Sequence, residues 1–155
     1  MRTRLVVGIA LTLVLVSLAL AANDPFVGTW KMNIAKSTFS PGPAPTSVTT
    51  NYKAEGKNLK MITDLVNAQG KASHMEDTLI LDGKDHPDTS NPNYDSSART
   101  RVDRFTIVTI YKKGGQEVGS RRIVASKDGK TLSGTVKVNN AKGEVSGSTF
   151  VFDKQ

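Results

Sequence analysis

The run Asp24-Pro25-Phe26-Val27-Gly28-Thr29-Trp30-Lys31 places a glycine two positions before the only tryptophan of the chain. Glycine tolerates the backbone bend that curves a strand tightly, and a side chain two residues further on falls on the same face. A tryptophan there plugs the space that the bend encloses. The stretch therefore predicts the start and the floor of a small antiparallel barrel, with Gly28 and Trp30 as its structural residues.

Upstream of this run lies a different kind of sequence. Arg2 and Arg4 precede Leu5 to Leu20, which contains no charged residue, and Ala19-Leu20-Ala21 has the small-x-small form of a peptidase site. This order is that of a cleavable Sec-type secretion signal, with residues 1–21 removed and residues 22–155 left as one domain in the periplasm or outside the cell. The apolar run reaches the lower limit of a membrane span, so an uncleaved anchor is the alternative. With the signal removed, no stable membrane span is expected. The chain has no cysteine, which excludes disulfides and a lipid-attachment cysteine.

Downstream, short runs rich in Val, Ile, Thr, Tyr and Phe alternate with clusters of Gly, Asn, Asp and Pro, the all-β pattern. Strands are predicted at Phe26 to Asn33, Ser47 to Ala54, Asn58 to Val66, Ala72 to Leu81 and Ser97 to Val102. Four more follow at Phe105 to Lys112, Glu117 to Ser126, Thr131 to Val138 and Glu144 to Phe152. Tight glycine-containing turns such as Ala54-Glu55-Gly56-Lys57 and Lys127-Asp128-Gly129-Lys130 make an up-and-down meander. A meander of about eight to ten strands hides its edges by closing, and its interior then holds one small ligand. Two connections are longer. Ile34 to Thr46 admits at most one helical turn before Pro41, Pro43 and Pro45 and reads as a lid or strap; Asp82 to Ser96 reads as a polar loop at the mouth.

The formal net charge of +7 stays positive once Arg2 and Arg4 are gone, but the lysines are spread through turns. This suits solubility and loose attraction to anionic surfaces rather than nucleic acid. His74 and His86 do not make a metal signature, and Asp82, Asp85 and Asp88 lack the spacing of a calcium loop. No nucleophile elbow is present, and Glu76 and Asp77 fall on opposite faces of one strand. No catalytic residue, metal or cofactor is expected.

Asp24 to Phe39 resembles the opening of the intracellular fatty-acid-binding proteins, and Gly28-Thr29-Trp30 also fits the broader lipocalin signature. Asp128-Gly129-Lys130-Thr131-Leu132, followed by Ser148-Thr149-Phe150-Val151-Phe152, is similar to the two closing strands of the same family. The chain as a whole resembles uncharacterised bacterial exported proteins described as lipocalin-like. The resemblance implies a calycin-type barrel. It departs from the family in two places: the strap is too short for a helix-turn-helix cap, and Phe150 and Phe152 stand where an Arg-x-Tyr carboxylate anchor is often found.

If Phe150 and Phe152 face inward, as the resemblance implies, alternation puts Ser148 with them and Thr149 and Val151 outside. Leu132, Val136 and Val138 share one face of their strand, as do Phe105, Ile107, Thr109 and Tyr111. These stripes form either a plain core or a ligand wall. The resemblance also implies an arginine covering Trp30, for which Arg121 or Arg122 is placed, and only one of these neighbours can point inward. One of Arg121, Arg122, Arg99 or Arg101 is expected to meet an acidic group of a ligand. The assignment taken forward gives Phe105, Ile107, Tyr111, Arg122, Val136, Phe150 and Phe152 to ligand binding and Arg121 to the tryptophan.

These readings converge on an exported, non-catalytic, monomeric barrel binding a small apolar or amphipathic molecule. A solid barrel that docks on another protein, as a protease inhibitor or envelope component, is the alternative; an enzyme is a third.

Overall fold

The computed structural model of the protein describes residues 24–139 and 142–155. The predicted secretion signal lies outside the described residues. Eleven strands follow one another: β1 (Gly28–Met32), β2 (Thr38–Ser40), β3 (Ser47–Glu55), β4 (Asn58–Val66), β5 (Ala72–Leu79), β6 (Asp82–Pro87), β7 (Ser96–Asp103), β8 (Thr106–Lys113), β9 (Gln116–Ala125), β10 (Thr131–Asn139) and β11 (Val145–Lys154). They form one antiparallel sheet in the order β5-β4-β3-β1-β11-β10-β9-β8-β7-β6, with β2 also pairing to β11. The all-β, up-and-down architecture is as the sequence predicts.

Two of these strands were not anticipated. The strap between β1 and β3 is one turn of 3₁₀-helix at Ile34–Lys36 followed by β2. Asn33 donates its backbone N–H to the Val151 carbonyl at 2.8 Å, and the Ser37 hydroxyl accepts from the Val151 N–H at 3.1 Å. Strands β1 and β2 are thus two parts of one line along β11, separated by a turn. The segment predicted as a polar loop begins with β6, which pairs on one side with β7. Its sequence Asp82-Gly83-Lys84-Asp85-His86-Pro87 has little intrinsic strand preference. A charged, bulged and proline-ended segment is nevertheless suited to a sheet edge.

The sheet curls round on itself, but its hydrogen bonding does not close: β5 and β6 are its two ends and do not pair. This seam corrects the expectation of a barrel without edges. Arg99 of β7 reaches across it to Asp77 of β5, Nη2 to Oδ2, at 2.9 Å. A side-chain ion pair takes the place of a backbone ladder there.

The core lies at the end where the chain enters. Phe26, Trp30, Leu59 and Ile107 are fully buried, among Tyr52, Leu79, Ile123, Leu132, Phe150 and Phe152. Burying each such apolar side chain contributes about 1.5–3 kcal/mol. The Trp30 indole donates to the Phe26 carbonyl at 2.8 Å, so the floor has no unsatisfied indole N–H. Gly28 sits at φ +139°, and a Cβ there would lie 2.8 Å from Lys154 Cε. The positive φ of the bend requires glycine, whereas the end of the Lys154 side chain could move aside for a Cβ. Asp24 is held by Arg101 at 2.7 Å, and the same guanidinium lies 5.2 Å from the Phe26 ring. The entering chain is thereby clasped to β7.

Candidate functional site

Above this floor the barrel is hollow. A cavity of about 570 Å³ lies under the strap, lined mainly by apolar side chains that include Met32, Phe39, Val48, Leu65, Val136 and Phe150. The buried hydroxyls in its wall, Thr50 and Thr63, share one hydrogen bond at 3.0 Å. A second cavity of about 690 Å³ lies on the seam side, with Asp77, Asp88, Ser90, Tyr94, Arg99 and Thr109 in its wall. Met61, Met75, Tyr111 and Arg121 border both, so the two spaces are lobes of one lumen that meet at Arg121. At the rim, Pro41, Gly42, Pro43 and Pro45 edge the apolar lobe, and Thr89 to Asn91 edge the polar one.

Strand parity places the arginines. Register pairs Arg121 with Thr109 on β8 and with Val136 on β10, both inward, while Arg122 is exposed on the outer surface. Arg122 is therefore not a lumen residue, which corrects its assignment to ligand binding. Arg121 does not cover Trp30 either. Its guanidinium lies 5.1 Å from the Phe150 ring, and Lys154 Nζ takes the position over Trp30, at 5.0 Å. The reason is height: Arg121 lies two residues before the floor residue Ile123 on its strand, and its head reaches Phe150 of β11 rather than Trp30 of β1.

The environment of Arg121 is unusual for a charge. It is surrounded by protein yet keeps part of its surface open to the lumen. Burial works against its charge, but electrostatic interaction with the Tyr52 and Tyr111 phenols outweighs this, and its pKa stays above the ordinary arginine value. Among the described residues no carboxylate forms an ion pair with it. Tyr111 stacks on Tyr94 with ring centroids 4.4 Å apart, and burial raises the pKa of both phenols.

Arg99, by contrast, is saturated with negative charge. Its Nη2 donates to Asp77 Oδ2 at 2.9 Å and to Asp88 Oδ2 at 2.8 Å. Asp88 is 8 % exposed. It also accepts from the Ser97 hydroxyl at 2.8 Å and from the Ser90 hydroxyl and N–H at 2.7 and 3.2 Å. Burial alone would raise its pKa, but these hydrogen bonds and the Arg99 charge hold it below the ordinary carboxylate value. A carboxylate with every acceptor position used is a structural anion, not a proton donor. His74 is exposed and held by Asp64 at 2.6 Å, with Glu76 at 3.5 Å; its pKa is raised, chiefly by the Asp64 hydrogen bond.

Of the other residues assigned to the ligand, Tyr111, Val136, Phe150 and Phe152 line the apolar lobe and Ile107 the polar one. Phe105 lines neither lobe and packs against the floor cluster. Sequence reasoning did not connect Asp88 with Ser90, Ser97 and Arg99, nor Met61 and Met75 with the lumen. Thr109 is marked in the sequence only as one member of an inward stripe.

No protein-family model matches the sequence, and no curated protein is significantly similar to it. Among solved structures, a Schistosoma mansoni fatty acid binding protein in complex with arachidonic acid superposes with a TM-score of 0.54 at 14% identity. That match covers 84% of this chain and 96% of the other. A zebrafish ileal bile acid-binding protein complexed with cholic acid gives a TM-score of 0.55 at 12% identity, over 84% of this chain and 99% of the other. At such identity the likeness establishes the fold: this chain has an up-and-down antiparallel β-barrel like that of the fatty-acid-binding proteins.

Proposed function

We propose that the protein is an exported, non-catalytic carrier that holds a small amphipathic carboxylate, its anionic head on Arg121 and its apolar body in the lobe beneath the strap. The observation that carries this reading is Arg121: a cation in the wall of both lobes of a hollow barrel, beside the Phe150 ring and without a carboxylate partner among the described residues. A buried charge is costly unless paired, and a ligand carboxylate supplies the missing pair where desolvation strengthens it. The apolar lobe supplies the remaining affinity by burying hydrocarbon at about 25 cal/mol per Å². The solid-barrel alternative needs a lumen filled by side chains, and a cavity of about 570 Å³ favours the carrier.

Access is assigned to the mouth between Pro41 to Pro45 and Thr89 to Tyr94, which border a further space of about 230 Å³ through Pro41, Asn91 and Tyr94. Export rests on the order of residues in Met1 to Ala21. The test is titration with an apolar fluorescent probe and its displacement by hexadecanoate. One probe per chain, displaced stoichiometrically, is expected. A protein that takes up neither probe nor fatty acid is not a carrier of this kind.

A further inference from the structure

The two lobes differ in how their walls are satisfied, and the difference points to a second feature of the ligand. In the apolar lobe Thr50 and Thr63 are already engaged with each other. In the polar lobe Thr109 is 5 % exposed, and among the described residues its hydroxyl has no hydrogen-bond partner. It is not sealed off either, because Asn51 Oδ1 is the one buried side-chain polar atom left without a partner among the described residues. The Thr109 hydroxyl therefore opens into the lobe with both a donor and an acceptor to offer.

Register fixes its neighbours. Arg99 pairs with Thr109, Thr109 with Arg121, Arg121 with Val136, and Val136 with Ser148. This is one inward row across five strands, and directly opposed side chains in such a row have Cβ atoms about 4.5–5.5 Å apart. Thr109 stands between two arginines, one neutralised by Asp77 and Asp88 and the other available. The row reads a carboxylate with a hydroxyl close to it.

We propose that Thr109 is a specificity-determining residue and that the ligand class is the hydroxylated amphipathic carboxylates, with the hydroxyl within a few carbons of the acid group. Arg121 takes the carboxylate, Thr109 exchanges a hydrogen bond with the ligand hydroxyl, and the chain runs towards the strap. This rests on the reading of Arg121 as the carboxylate anchor. An unsubstituted acid gains nothing from Thr109 and leaves a desolvated hydroxyl unpaired, which is how a polar site discriminates against a ligand lacking the matching group.

The experiment compares tetradecanoate with 2-hydroxy- and 3-hydroxytetradecanoate by calorimetry on the wild type, Thr109→Val and Thr109→Ser. At least one hydroxy acid is expected to bind the wild type roughly three- to tenfold more tightly, the value of one net hydrogen bond. Thr109→Val, which keeps shape and removes the hydroxyl, should abolish that ratio and bind tetradecanoate at least as tightly as the wild type does, because no hydroxyl is left unpaired; Thr109→Ser should retain the ratio. Equal binding of all three acids by the wild type overturns the proposal and leaves the carrier reading intact. A preference that survives in Thr109→Val overturns it too. Absence of binding by any of the acids defeats the carrier reading itself, and this proposal with it.

Discussion

Replacing Arg121 by methionine separates the functional role of the buried cation from a structural one, because the two roles predict opposite outcomes. The substitution keeps an unbranched side chain beside Phe150 and removes the charge. A charge-assisted hydrogen bond contributes about 1.5–3 kcal/mol, so affinity for hexadecanoate should fall roughly 10- to 150-fold. Affinity for hexadecanol, which carries no charge to pair, should change by no more than about threefold.

The same change acts on the ligand-free protein with two opposing terms. Relieving a desolvated cation stabilises, and continuum arguments put that relief at several kcal/mol. Against this, the guanidinium loses its contact with the Phe150 ring, a cation–π term of about 0.5–2 kcal/mol, and part of its packing against the lumen wall. The terms nearly cancel, so ligand-free stability should stay within about 2 kcal/mol of wild type. Calorimetric titration with acid and alcohol, together with urea denaturation, measures all three quantities. Unchanged hexadecanoate affinity would refute the anchor. So would an equal loss for acid and alcohol, since that pattern belongs to a change of cavity shape.

Three further outcomes follow from the same geometry. Trp30→Ala removes the fully buried floor plug and its hydrogen bond to Phe26, and should cost about 3–5 kcal/mol in urea denaturation; a loss under about 1 kcal/mol would mean the floor closes without it. Gly134→Ala drives a methyl into the Arg122 carbonyl oxygen and to 2.8 Å from Phe150 Cζ, so it should destabilise by at least about 1–3 kcal/mol and disturb the ligand end of β11, visible as shifted Phe150 ring resonances. The Asp88 pKa is lower in the folded protein than in the unfolded chain, so its contribution is present above the ordinary carboxylate value and is lost as pH falls through the folded one. Asp88→Asn should therefore cost about 1–3 kcal/mol at neutral pH and flatten the acid limb of a stability–pH curve, whereas an unchanged acid limb would place that titration on other groups.

Much of this architecture is legible in the sequence because its signals are local. Strand β3 alternates Val48, Thr50 and Tyr52 inward with polar residues outward, and glycine turns at Gly56, Gly70 and Gly129 with positive φ separate it and its successors. Where the signal is not local, reading fails. Strand β6 has one neighbour and two polar faces, so no alternation marks it. Arg121 and Arg122 could not be told apart, because both parities of β9 carry apolar residues: Ile123 and Ala125 on one, Val118 and Val124 on the other. Only pairing with Val136 and Thr109 decides between them. The Asp77–Arg99–Asp88 group joins β5, β7 and the segment after β6 across an unpaired seam, a proximity that no spacing along one chain encodes.

The seam also explains why two inward arginines amount to one site. Arg99 spends its charge on holding β5 to the β6–β7 side of the barrel, and Asp88, fixed by serines on both oxygens, keeps it there. A ligand seeking a cation therefore finds Arg121 without a carboxylate partner among the described residues and the charge of Arg99 already neutralised. A second negative charge on the ligand would face Asp77 and Asp88 without a free counter-ion, a like-charge encounter in a partly desolvated space. On the proposed reading, the pairing that replaces a missing backbone ladder is also what restricts the lumen to monoanions. Fold closure and ligand selection are then two effects of the same three side chains, and loosening Asp77 from Arg99 would weaken both.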